Sequence, residues 1–139
     1  HGQQSTDPAL ALEPTTYYGR ESGAGLALAA APGLYGSDAR IGIVGLGAGT
    51  LACYHRPGQR WTIFEIDPRV IAYSRDSTFT YLSRCAPDTR IALGDARLSL
   101  AKARTGSFDL IAVDAFSSDA IPLHLITREA VSVYMRALA

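Results

Sequence analysis

Apolar and polar positions fall into short, regular blocks from residue 40 onward. Ile41-Gly42-Ile43-Val44 is an apolar run rich in β-branched side chains, and Trp61 to Ile66, Arg90 to Leu93 and Phe108 to Phe116 repeat the pattern. Such runs suit strands. The last is the strongest, because Leu110-Ile111-Ala112-Val113 is uninterrupted, as expected of a strand covered on both faces. Helical segments separate the runs. Asp67-Pro68 predicts a helix start, an N-cap followed by proline at the first helical position, and the helix runs through Val70, Ile71 and Tyr73. Phe79 to Cys85 and Ala96 to Ala103 read as two more, and Thr50 to His55 as a brief turn of helix stopped by Pro57-Gly58. Thr127 caps a last helix with Ile126, Ala130, Val131 and Tyr134 roughly on one face. Upstream, the first 22 residues are polar and turn-rich, and Gly23 to Ala31 suits a short helix ended by Pro32-Gly33.

Strand and helix thus alternate four times. Right-handed crossovers place such strands in one parallel sheet with helices on both faces. The expected fold class is α/β: a doubly wound, mostly parallel, Rossmann-like sheet. Residues 1–36 form a lead-in segment and residues 37–139 the ligand-binding α/β domain. Sheets of this type carry more strands than this length holds, so the chain reads as cut short after its fourth strand and helix. The apolar edge left there calls for a partner chain, such as a second copy in a homo-oligomer.

Composition narrows the function classes. Lys+Arg and Asp+Glu both number 13, so the net charge is zero and the basic surplus of a nucleic-acid binder is missing. No apolar stretch reaches the roughly 18 residues of a membrane span, so no membrane contact by this segment is expected. The chain begins at His1 without a Met, which leaves open a larger, membrane-attached protein. Cys53 and Cys85 read as two reduced, buried thiols of a cytoplasmic protein. The three histidines lie far apart without ligand spacing, so no metal is expected.

Candidate chemistry gathers where the strands end, which is where ligands bind in such sheets. The first strand runs into Gly45, Gly47 and Gly49, which let backbone N–H groups approach a ligand closely, although an ordinary tight turn would explain them too. The second ends at Glu65, 20 positions after Gly45, where a carboxylate can accept two hydrogen bonds from a ribose diol. Dinucleotide loops carry glycine at the first, third and sixth positions, but here the sixth is Thr50 and the third glycine comes fifth. That spacing suits a nucleoside of the S-adenosylmethionine kind better than a pyrophosphate. At the third strand end, Asp95 of Gly94-Asp95-Ala96 offers an acceptor for an adenine amino group. The fourth leads into Asp114-Ala115-Phe116-Ser117-Ser118-Asp119, where a carboxylate can take a proton from an amine or hold a cationic substrate.

These residues resemble the spermidine synthase (polyamine biosynthesis) family. The resemblance is carried by Ile43 to Gly49, by Phe64-Glu65-Ile66-Asp67-Pro68, by Gly94-Asp95-Ala96-Arg97 and by Phe108 to Asp114, with Thr16-Tyr17-Tyr18-Gly19 and His1-Gly2-Gln3-Gln4 upstream. More narrowly, the chain looks like the spermidine synthase-like domains found alone or attached to bacterial membrane proteins. The resemblance implies a nucleoside site made by Gly45, Leu46, Gly47, Gly49, Glu65, Ile66, Asp95 and Ala96. It implies Asp114 as the catalytic proton acceptor, with Gln4, Tyr18 and Asp119 facing a small amine substrate. The implied cofactor is decarboxylated S-adenosylmethionine, or S-adenosylmethionine itself, and the implied product methylthioadenosine. The family's loop carries Asp where this chain has Ala48, a change more compatible with a methyltransferase on the same scaffold. A non-catalytic nucleoside-binding module is the further alternative, and a dehydrogenase the weakest.

Overall fold

The computed structural model describes residues 2–115, 120 and 122–139. Four strands, β1 (Arg40–Val44), β2 (Arg60–Glu65), β3 (Arg90–Leu93) and β4 (Leu110–Val113), form one sheet in the order β3-β2-β1-β4. Every pairing is parallel. Among the described residues five α-helices accompany them: α1 (Gly23–Tyr35), α2 (Pro68–Arg75), α3 (Tyr81–Cys85), α4 (Ala96–Lys102) and α5 (Arg128–Ala137). The doubly wound α/β arrangement expected from the alternating pattern is therefore present.

Strand alternation sorts the core into two layers. Ile41, Ile43 and Ile63 pack with Leu28 and Ala31 of α1, Ile71 of α2 and Tyr81 and Leu82 of α3. Val44 and Phe64 join Phe108, Ala96 and Leu100 of α4 and Ala130, Tyr134 and Ala137 of α5 on the other face. Successive side chains of a strand point to opposite faces, so each central strand feeds both layers. Local signals set the helix starts. Asp67 accepts a hydrogen bond from Arg69 N–H, Asp95 from Leu98 N–H and Thr127 from Ala130 N–H, each satisfying an otherwise orphaned donor. The C-terminal end of α4 is closed from α5: the Arg136 guanidinium donates to the carbonyls of Leu100, Ala101 and Ala103.

The lead-in segment is fastened to the domain. Tyr18 is buried with the first core layer, and its carbonyl accepts a 2.6 Å hydrogen bond from the Tyr54 hydroxyl. The Gln4 amide accepts from Thr80 N–H and donates to Thr80 Oγ1 and Ala11 O, clipping the segment to the start of α3.

Four expectations need correction. Helix α1 does not stop at Pro32 but runs on to Tyr35, and Gly36 N–H then bonds back to Pro32 O. Proline removes its own N–H donor and crowds the carbonyl one turn back, but only three helical residues follow it. The fourth strand is shorter than the apolar run 108–116. Leu110 to Val113 are half-buried, because β4 borders the described sheet with β1 on one side alone. On α5 the buried stripe is Ala130, Tyr134 and Ala137, while Val131 and Ile126 are about half exposed. Finally, Cys53 and Cys85 are not free thiols. They form a disulfide, with Cα atoms 4.8 Å apart, between the 3-10 turn Thr50–Tyr54 and α3. Their 32-residue separation gives no hint of this approach, which depends on α3 folding back over that turn.

No helix among the described residues is long and apolar enough to cross a membrane.

Candidate nucleoside site at the strand ends

Strand order reverses at β1, which has β2 on one side and β4 on the other. Crevices at such points, beyond the carboxyl ends of the strands, are where open α/β sheets bind ligands. A cleft of about 310 Å³ opens there, within the size range of small-molecule sites.

Backbone geometry explains the first glycine. Gly45 sits at φ +97°, and a Cβ on it would lie 2.7 Å from the Asp114 carbonyl oxygen. The end of β4 thus presses against the glycine loop, and only a residue without a side chain lets the two meet. Glu65 follows at the end of β2. The residue is only 8% exposed, yet among the described residues it has no ion-pair partner. Two backbone donors hold it instead: Leu46 N–H to Oε2 at 2.8 Å and Asp67 N–H to Oε1 at 3.0 Å. A carboxylate oxygen has two acceptor sites, so each keeps one for a ligand. Glu65, Ile66, Asp95, Ala96, Gly45, Gly47 and Asp114 all line the one cleft.

Asp95, at the end of β3, does two structural tasks. One carboxylate oxygen caps α4 through Leu98 N–H, and the other lies 3.0 Å from His124 Nε2. His124 belongs to the 3-10 turn Leu123–Leu125 beyond β4 and also lines the cleft. Asp114, just after β4, lines the same cleft. Burial pushes its carboxyl up to about 6, while a hydrogen bond from the Tyr18 hydroxyl pulls the other way. Tyr18 is raised in turn, first by burial, then by hydrogen bonding with Tyr17 and by the nearby Asp114 charge. A carboxylate near neutrality beside a phenol can accept a proton within the cleft.

The remaining sequence-derived candidates lie around this group. Leu46 and Gly49 are buried in the loop rather than lining the cleft, and Leu46 contributes through its N–H to Glu65. Tyr18 reaches the site through Asp114. Gln4 is engaged by Thr80 and Ala11 and is not a lining residue. Asp119, like Phe116, Ser117 and Ser118, lies outside the described residues. His124 is not among the sequence-derived candidates, because its partner Asp95 is 29 positions away and the histidines show no ligand spacing. Its one available signal was its place in the loop after the fourth strand.

No family model matches the chain. A polyamine aminopropyltransferase of Vibrio vulnificus is 36% identical over 95 residues, covering 65% of this chain and 31% of that protein. A probable spermidine synthase from Corynebacterium glutamicum superposes with a TM-score of 0.68 at 29% identity, over 82% of this chain and 42% of the other. Human methyltransferase-like protein 13, solved with S-adenosylhomocysteine, gives 0.63 at 24% identity, over 84% and 57%. That last likeness speaks to the fold alone. The chain spans about a third of the curated relative it matches.

Proposed function

We propose that this chain, which is similar to polyamine aminopropyltransferases and spermidine synthases, is the nucleoside-binding part of an aminopropyltransferase. The observation that carries the reading is the convergence of three carboxylates, Glu65, Asp95 and Asp114, from three strand ends on one cleft. In this reading Glu65 accepts the ribose hydroxyls with its two remaining acceptor sites. Asp95 and the Ala96 backbone meet the adenine edge. Gly45, Gly47 and Ile66 line the nucleoside, with Leu46 and Gly49 shaping the loop behind it.

The residues present fit such a ligand, because Glu65 is buried, backbone-held and without an ion-pair partner among the described residues, an arrangement that suits hydroxyl donors. Bound decarboxylated S-adenosylmethionine supplies a sulfonium that makes its neighbouring methylene electrophilic. The chain's own contribution is position and a base. Asp114, held by the Tyr18 hydroxyl, accepts the proton that the attacking amine loses as its nitrogen bonds to that carbon. The carbon–sulfur bond breaks, its electron pair stays on sulfur, and methylthioadenosine leaves. Partial burial excludes water and keeps the Asp114 carboxyl near the working pH. Tyr18 and Gln4 shape the amine side through the lead-in segment 1–36, and Asp119 is the proposed contact for a second amine. The nucleoside site belongs to residues 37–139.

One observation favours a second reading, methyl transfer. Ala48 stands where the family's loop carries Asp, and it is buried against Gly2. Supplying S-adenosylmethionine and its decarboxylated form separately, with a panel of di- and polyamines, separates the two. Release of methylthioadenosine supports aminopropyl transfer, and S-adenosylhomocysteine supports methyl transfer. Saturable binding without turnover points to a non-catalytic module.

The acceptor proposed is a small amine, with a second copy of the chain along β4 as the partner; sedimentation tests the latter. The working compartment is tied to the cysteine pair. The cytoplasm keeps thiols reduced, so a free-thiol titration on freshly isolated protein decides between it and an oxidising compartment.

A further inference from the structure

Among the described residues His124 is the imidazole that lines the cleft, and its contact with Asp95 bears on which base the cleft accepts. Asp95 Oδ1 is committed to Leu98 N–H at 3.1 Å. One pinned oxygen still lets the carboxylate plane swing about that contact. His124 Nε2 lies 3.0 Å from Oδ2, in the path of that swing. A carboxylate oxygen only accepts, so any hydrogen shared across this contact comes from Nε2. The turn bearing His124 is itself anchored: Leu125 is buried, and its carbonyl accepts a 2.8 Å hydrogen bond from the buried Tyr134 hydroxyl of α5. His124 thus connects a fixed point on α5 to the end of β3 across the cleft mouth.

We propose that His124 is a positioning residue for the base subsite, holding the Asp95 carboxylate so that its free acceptor sites meet an exocyclic amine. The inference rests on the nucleoside reading of the cleft. It adds a specificity determinant: a 6-amino purine is accepted and a 6-oxo purine, which brings an acceptor against a fixed acceptor, is rejected. Without His124 the carboxylate can turn away, and the oxo base is no longer repelled.

The test is calorimetric titration of the chain and its His124→Ala and His124→Gln variants with 5′-methylthioadenosine and 5′-methylthioinosine. The wild type is expected to prefer the amino compound by about tenfold or more, the scale of one charge-assisted hydrogen bond. His124→Ala is expected to bring the two affinities within about threefold, chiefly by improving binding of the oxo compound, and His124→Gln, which keeps an N–H donor, to restore the preference. His124 is half exposed, so the variants are expected to fold; thermal melts verify this, and His124→Phe supplies a second donor-free variant. A preference that survives in both donor-free variants overturns the inference and leaves the nucleoside reading standing. Equal weakening of both ligands also overturns it, since that marks a merely structural contact. If the wild type binds neither compound, the nucleoside reading itself fails.

Discussion

The two ends of β4 carry one aspartate each, and the sheet treats them oppositely. Asp109, just before the strand, accepts hydrogen bonds from the Arg40 backbone N–H and from two guanidinium nitrogens of the same residue. Hydrogen bonding to Arg40 holds its carboxyl below the usual carboxylate range. Asp114, just after the strand, is raised to about 6 by burial and faces the cleft with a phenol for company. The comparison teaches where this fold places its unresolved charge. At the amino edge of the sheet a carboxylate is neutralised and ties β1 to β4. At the carboxyl edge one is left under-solvated, at a cost in stability, where it can accept a proton.

Breaking the carboxyl-edge member gives the largest effect. Asp114→Asn is expected to lower turnover by about a hundredfold or more while leaving methylthioadenosine affinity in place, measured by steady-state rates and calorimetry. The same variant is expected to melt higher at pH 7 to 8. With a folded pKa above the unfolded one, the ionised Asp114 destabilises the protein as pH rises between about 4 and 6, and fully above that window. Asparagine avoids that charge. Reducing the Cys53–Cys85 bridge comes next. It closes a 32-residue separation, so opening it is expected to cost about 3 to 4 kcal/mol, read as a lower denaturant midpoint. Asp109→Ala is expected to cost about 2 kcal/mol by removing the acceptor of the Arg40 backbone N–H and of two of its guanidinium nitrogens, with no change in nucleoside affinity. Because Asp109 is depressed, its stabilisation is present above the ordinary carboxylate range and is lost as pH falls through its folded value. The smallest effect belongs to Tyr18→Phe. Losing its hydrogen bond is expected to move the acid limb of the rate profile, near pH 6 in the wild type, to higher pH by less than about one unit.

Much of this architecture was legible along the chain because it depends on local pattern. The apolar runs and the caps at Asp67 and Thr127 placed the central strands and two helix starts within a residue or so. Gly45 and Glu65 were legible for a related reason: both sit where a strand ends, and parallel strands end on one side of the sheet. What escaped was what folding brings together from afar. The Cys53–Cys85 bridge, the Asp95–His124 contact and the clip from Gln4 to Thr80 join residues 32, 29 and 76 positions apart. No spacing rule reports such pairs. The β4 boundaries failed for a different reason, since an apolar run predicts burial but not where backbone pairing stops.

Titration of the chain with methylthioadenosine, S-adenosylhomocysteine and NADH side by side, repeated with Glu65→Ala, tests the account most directly. Saturable binding of one of the first two, loss of that binding in the variant and silence with NADH are the predicted outcome. Tight NADH binding, or adenosine affinity indifferent to Glu65, would contradict it.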